Sequence, residues 1–534
     1  MSNKKNVIII GSGLGGLSCG VILAKNGYHV IVLEQENQIG GCLQCFTRKG
    51  GKFETGMHFI GSAAQGQTLQ KLMRYLEVDG KVCLSQLDTD GYDVVALDGK
   101  QYRFPNGREA FIRQMTEYFP HQHDNLVRYC DLVRSVASAS SLHSLKYAES
   151  DSAVSTEYLL RSIDGVIDEV ITDPTLAKVL VGNLPLYAAE KRKTPFSTHA
   201  FIVDFYNQSA FRFVGGSDTL ANALADTIRR YGGEVLTRKK VSHILCDDTH
   251  AVAVEVNGAM SGKTEAKKNT ECFACDYVIS DAHPVRTLEL LDTKLIRPAF
   301  RKRVQEIPQT VGCFAVYVKF KEGEVPYMNY NYYGYQGDTP WGCEKYTEET
   351  WPKGFLYMHF CDSVNHDMGN MVDSQRTPIP KFASTGVVLS YMQMEDVEQW
   401  KGTYTGRRGL DYEDFKHRKA EKILAVLEKH FPGVRDKIEA YYTSTPLTYL
   451  DYTGTEDGSM YGNAKDIAMG AAGRVAQRTK VPNVYLTGQN INSHGMLGVM
   501  VGTIVTCSEF LTAQKIYEQI NKANEQGDKC NVNR

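Results

Sequence analysis

Val7 to Ile10 is an unbroken aliphatic run that stops at a cluster of glycines. Without polar alternation, it predicts a short parallel strand covered on both faces. Leu17 to Asn26 is small and apolar enough to pack as a helix on that strand, with Gly27 stopping it. His29 to Leu33 then reads as a second strand ending in the acid Glu34. Late in the chain the order recurs, with Val484 to Leu486 as strand, Thr487-Gly488-Gln489 as turn, and a helix from Gly498 to near Lys515. Alternation in "CFAVYVKF" from Cys313 predicts a strand, and "YEDFKHRKAEKILAVLEKHFPG" has helical spacing closed by Pro432-Gly433. The stretch from Asn365 to Lys381 gives no clear pattern, and the polar tail from about Lys522 reads as disordered.

The glycines carry the first chemistry. Gly11, Gly13 and Gly16 form G-x-G-x-x-G between strand and helix, with Glu34 about 20 residues further on, as in a dinucleotide fold. Gly11 permits the tight turn, Gly13 lets a pyrophosphate approach the backbone, and Gly16 lets helix and strand touch. Free N–H groups at the helix start hold phosphates, and Glu34 accepts hydrogen bonds from ribose. A glycine-rich turn with no ligand would explain the glycines but not the acid at a strand end.

A second glycine pair, Gly40 and Gly41, follows, then Glu54-Thr-Gly56-x-His58. A nicotinamide dehydrogenase needs no further glycine loop there, whereas an extended FAD passes over more backbone. The late helix, aimed by its N-terminus at a flavin's pyrimidine end, would stabilise negative charge on the reduced ring. An ordinary terminal helix packed on the sheet is the plainer reading.

Composition narrows the class. A chain of 534 residues has room for two intertwined domains and a large buried cofactor. Its net charge of −2 argues against nucleic acid as a partner. The opening apolar run is neither signal peptide nor membrane span, and "MLGVMVGTIVTC" from Met496 is too short to cross a bilayer and reads as a buried helix. Thirteen scattered cysteines point to a reducing, cytoplasmic setting. Cys42 and Cys45 form C-x-x-C, read as small residues packed beside a cofactor more readily than as a redox pair. His58, His199 and His494 stand too far apart in sequence to propose a metal site, so none is expected. "YMNYNYYGYQ" from Tyr327 places five tyrosines in nine residues, suited equally to an aromatic slot for an apolar substrate and to cross-strand pairing.

The opening motif, "GGSDTLANALADTIRRYGGEVLTRKKVSHI" from Gly215 to Ile244 and "DYVISDAHP" from Asp276 to Pro284 resemble the phytoene desaturase and carotenoid isomerase superfamily of FAD-dependent, amine-oxidase-like flavoproteins. "GGCLQCF", "FETGMHFIG", "TPFSTHA", "RGLDYEDFK", "STPLT" and "LTGQNINSHGMLG" are similar to its retinol saturase branch, so the likeness runs along nearly the whole chain.

The resemblance implies an α/β fold: a Rossmann-like FAD-binding domain of the glutathione-reductase type, interleaved with an α+β substrate domain. The FAD domain is expected at residues 1–75, 210–300 and 470–520, the substrate domain at 76–209 and 301–469, and a polar tail at 521–534. FAD is placed against Gly11, Gly13, Gly15, Gly16, Glu34, Gly40, Gly41, Gly56, Val241, Gly488, Gln489 and Gly498, with the Val241 backbone at adenine. Cys42 and Gln489 depart from the Arg or Lys and the Asp that many relatives carry, which weakens an amine oxidase reading.

The implied activity is saturation of one C=C bond in a hydrophobic isoprenoid or polyene, with desaturation, cis–trans isomerisation and amine oxidation as alternatives. A non-catalytic flavin-binding protein is the competing class. His58 and His494 are the candidate proton donors. With no second G-x-G-x-x-G, a reductase would draw electrons from NAD(P)H or another external donor. A water-insoluble substrate implies transient membrane contact.

Overall fold

The computed structural model describes residues 4–140, 145, 152–257, 270–361, 368–372 and 378–532. Its centre is a five-stranded parallel sheet in the order Glu234–Leu236, His29–Leu33, Asn6–Ile10, Tyr277–Ser280, Val484–Leu486. This is a Rossmann-like parallel sheet, in which ligands bind beyond the carboxyl ends of the strands. Val7, Ile8 and Ile9 are fully buried, which explains their lack of alternation. Helix Leu14–Lys25 covers one face, and Gly27 beyond it takes φ +89°, where a side chain would be strained. Helix Gly495–Cys507, buried through most of its length, packs on the same layer. The antiparallel strands Lys240–Cys246, Ala251–Asn257 and Thr270–Ala274 form the small extra layer.

Seven further strands form a second sheet in the order Ile438–Ser444, Gly312–Phe320, Thr385–Met392, Gly354–Phe360, Asn331–Tyr335, Asp93–Leu97, Lys100–Phe104. Helices His123–Ser138, Ile163–Val170 and Phe196–Gln208 cover one face of this sheet, and helix Leu410–His430 covers the other. The strand expected from alternation at Cys313 is instead buried on both faces, because helices lie on both sides of it. The tyrosine-rich segment forms an edge-to-centre strand. Tyr332 packs on Phe431 at 4.8 Å between ring centres, and Tyr335 donates to the Gly182 carbonyl at 2.6 Å. The Tyr333 hydroxyl is buried with no partner among the described residues.

Three local expectations change. The late helix begins at Gly495, three residues before Gly498, and breaks after Cys507. The polar tail continues a helix from Ala513 to Val532, seated by the buried Ile516, Tyr517 and Ile520. Within the unpatterned stretch, Met368–Val372 pairs with Pro378–Pro380, and its remaining residues up to 377 lie outside the described residues, apart from the links just named. Among the described residues no helix is long and apolar enough to cross a membrane.

Candidate active site

The glycine loop sits at the carboxyl end of the central strand, stitched from both sides. Gly11 N–H donates to Leu33 O at 2.9 Å, and the Glu34 carboxylate accepts from Ser12 N at 3.0 Å and from Glu36 N at 2.9 Å. Ser12 Oγ adds a short bond to the same carboxylate. Glu34 is thus loop anchor as well as ribose candidate, its side chain nearly buried.

Close approach explains the other glycines. A Cβ on Gly16 would lie 2.3 Å from Gly11 O, inside any allowed contact, so helix and strand touch only because it is glycine. Gly41 stacks its Cα side on Gly13, where a Cβ would come within 3.3 Å of Gly13 Cα. A Cβ on Gly15 would lie 2.9 Å from Gly488 N, and one on Gly56 2.9 Å from Cys42 Cβ. Gly40 and Gly488 adopt φ +118° and +93°. The structure therefore brings Gly11, Gly13, Gly15, Gly16, Glu34, Gly40, Gly41, Gly56 and Gly488 into one region, with Gln489 half-buried beside it.

Val241 lies further out, in the antiparallel layer, linked through Lys239 N, which donates to Glu34 O at 2.7 Å. Gly498 turns back onto Ser493, where a Cβ would be 2.7 Å from Ser493 Cβ, so its small size serves the helix start.

A residue missed in the sequence fills the cradle. Asp281, just past the strand Tyr277–Ser280, turns its carboxyl onto the glycine loop, against Gly13 and Gly15. Its Oδ2 lies 2.4 Å from where a Gly13 Cβ would be, and its Oδ1 2.4 Å from that of Gly15 and 2.6 Å from that of Gly488. The loop is therefore a working anion cradle, holding a carboxyl where phosphate chemistry is expected. The loop backbone and the walls without Cβ atoms fit a dinucleotide such as FAD.

Cys42 and Cys45 point apart. The Cys45 thiol donates to Glu54 Oε2 at 3.3 Å, while Cys42 lies against Gly56. Burial raises both thiols, Cys42 to about 11, so neither supplies a thiolate at neutral pH. Glu54 accepts from Ser217 N at 2.8 Å and from Ser217 Oγ at 2.5 Å, joining hairpin Cys45–Glu54 to the start of helix Asp218–Arg230. Burial pushes that carboxyl up to about 7.

The two histidines have different surroundings. His58 packs near Phe360 at 6.0 Å, and burial with the Arg212 charge lowers it to about 3. His494, the residue preceding the late helix, packs tilted against Tyr461 at 4.6 Å between ring centres and is lowered to about 3 by burial and by Lys465. His58 Nδ1 and His494 Nε2 are buried without partners among the described residues. His199 is a structural histidine: Tyr129 and Tyr187 hydroxyls bond its two ring nitrogens at 2.7 Å each.

His494 faces a cavity of about 40 Å³ together with Tyr187, Thr194, Asn463 and Lys465. Burial, with Arg474 nearby, lowers the Lys465 ammonium to about 8. Ala188, Glu190 and Thr310 separate this cavity from a second of about 410 Å³, whose walls carry Glu190, Glu344, Glu395, Glu398 and Asp457. Tyr391 is shared in turn with an apolar crevice at Cys313, Leu356 and Leu389 on the second sheet. Lys465 carries no sequence signal, since its isolation in a folded pocket arises only from residues far away in the chain.

A Rossmann-like parallel sheet with a glycine cradle at its carboxyl edge and a second, larger sheet beside it defines a dinucleotide-dependent oxidoreductase. The model of the flavin containing amine oxidoreductases matches residues 14–337, and the chain belongs to that family of FAD-dependent enzymes. All-trans-retinol 13,14-reductase of Rattus norvegicus is 29% identical over 97% of this chain and 87% of that protein. Prolycopene isomerase 2, chloroplastic, of an Oncidium hybrid cultivar is 23% identical over 97% of this chain and 85% of that protein. Cyclohexylamine oxidase of Brevibacterium oxydans shares the fold, with a TM-score of 0.55 and 16% identity over 97% of this chain and all (100%) of that one.

Proposed function

We propose that the enzyme saturates one C=C bond of a long apolar polyene of retinoid or carotenoid type. The observation that carries this reading is likeness along 97% of the chain to a retinol reductase. Bound FAD supplies the hydride chemistry, drawing its electrons from an external donor such as NAD(P)H. The chain must then place a proton on the second carbon.

His58 and His494 are neutral at pH 7, so their unpartnered nitrogens serve as hydrogen-bonding groups. Lys465 Nζ does hold a proton there, and its depressed affinity matches the ammonium to release near neutrality. Replacing Lys465 with Met should lower turnover by about 10²- to 10⁴-fold with flavin content unchanged. In the unaltered enzyme, turnover should fall above about pH 8 as the ammonium deprotonates.

Photoreduced holoenzyme incubated anaerobically with retinoids and carotenoids should yield products heavier by about two mass units with blue-shifted spectra. Unchanged mass with altered geometry would replace saturation by isomerisation, and reduced flavin that no polyene reoxidises would remove the reading. The acidic cleft favours a second reading, oxidation of a cationic amine, for which peroxide release with amines is the test. Delivery from a bilayer is assigned to exposed Tyr404 and to Leu410 at the start of helix Leu410–His430, 80% and 83% exposed, and is tested by liposome flotation of the holoenzyme.

A further inference from the structure

Asp281 poses a physical problem for an enzyme that must hold a pyrophosphate. Its carboxyl sits in the glycine cradle, with its two oxygens 2.4–2.6 Å from where Cβ atoms of Gly13, Gly15 and Gly488 would lie. The main chain at this point is fixed, because Asp281 N–H donates to Ile10 O at 2.8 Å and the neighbouring Ser280 O accepts from Thr487 N at 2.9 Å. Strand Tyr277–Ser280 is thereby held between its neighbours on both sides. A carboxylate left there would face the phosphates at short range, where like charges repel.

The groups facing Asp281 offer no cation to relieve that repulsion. Glu34, at the end of the second strand, adds a further negative charge. Cys42 faces it from the second glycine loop as a neutral thiol. The first glycine loop and Gly488 present backbone alone. An ionised carboxyl can only accept hydrogen bonds, and a proton on one of its oxygens would turn that oxygen into a donor.

We propose that Asp281 is a cofactor-binding residue that works in its neutral form, seated between the glycine loop and the pyrophosphate and donating its proton to a phosphate oxygen. FAD binding therefore takes up one proton from solvent for each cofactor bound. No covalent bond changes, and release of FAD returns the proton. Burial already raises this carboxyl to about 7 without the cofactor, so the uptake falls in an accessible range. The sign follows from linkage. Below about pH 7 the carboxyl is protonated in both states and affinity is flat. Above it, only the FAD-bound state keeps the proton, and affinity falls by up to tenfold per pH unit.

The test is titration of flavin-free full-length protein with FAD from pH 6 to 9, read by quenching of flavin fluorescence. The unaltered protein should show a flat dissociation constant to about pH 7 and a rise of up to tenfold per unit beyond. Asp281→Asn, which keeps the shape and donates permanently, should be flat throughout and at least tenfold tighter at pH 9. A slope that persists in Asp281→Asn, or a flat profile in the unaltered protein, overturns the proposal. Proton uptake on mixing unaltered protein with FAD at pH 8, read with an indicator dye in weak buffer, needs no variant. About one proton per FAD supports the proposal and none overturns it.

Discussion

Single residues in this site do two things at once. Glu34 was expected to meet a ribose, and it also ties down Ser12 and Glu36, so the glycine loop and the acid form one unit. Glu34→Ala removes charge-assisted bonds of about 1.5–3 kcal/mol. FAD should therefore bind about 10- to 150-fold more weakly, measurable by fluorescence titration, while Glu34→Gln should retain part of the affinity. An unchanged dissociation constant in Glu34→Ala would mean that the acid serves the loop alone. Val241 illustrates the opposite case. It sits where the antiparallel layer meets Glu34, and any contact with adenine belongs to its backbone, so no side-chain substitution can report on it.

Between elements, polar pins set in apolar contacts fix how helices sit on the second sheet. His199 is carried by helix Phe196–Gln208 and bonded by Tyr129 from helix His123–Ser138 and by Tyr187 from the segment before it. A neutral ring serves this position well, since one nitrogen donates and the other accepts. His199→Leu would leave two buried tyrosine hydroxyls unpartnered at about 1–3 kcal/mol each. The denaturant midpoint should drop accordingly, with FAD affinity little changed because the glycine cradle is built from other elements. Loss of FAD binding without loss of stability would contradict that separation.

Across the whole molecule, buried titratable groups shape stability against pH. His58, His199, His359 and His494 are lowered to about 3 and His283 to about 4 by burial. Below about pH 6.5 the unfolded chain gains protons on these five that the folded chain refuses, so they destabilise the fold as pH falls. Glu54, Asp93 and Asp281 are raised to about 7, so between roughly pH 4 and 7 the folded chain keeps protons the unfolded one has lost. These three destabilise as pH rises. Taken together, these eight strongly shifted groups should make the stability of the flavin-free protein climb to about pH 6.5 and then decline. Urea midpoints from pH 5 to 8 check this, and a steady fall from pH 5 to 6.5 would show that the carboxyls dominate.

The local run of strand, glycine turn, helix and acid determined the nucleotide-binding half of the protein, because each step depends on residues within a few positions of one another. Gly11, Gly13, Gly16 and Glu34 were legible for that reason, as were helix Leu410–His430 and the stop at Gly27. The late helix and the tail were placed less well. The start at Gly495 depends on packing against a distant helix, and the tail's helicity on three buried residues that seat it. What only the tertiary structure decided is which charges meet. Asp281 reaches the cradle from a strand some 265 residues beyond it, and Lys465 stands beside His494 because separate connections return to one cavity. Local pattern records which residues can form an element. Proton affinity depends on burial and on charges brought together across the chain, and these exist only once the sheets and helices have packed.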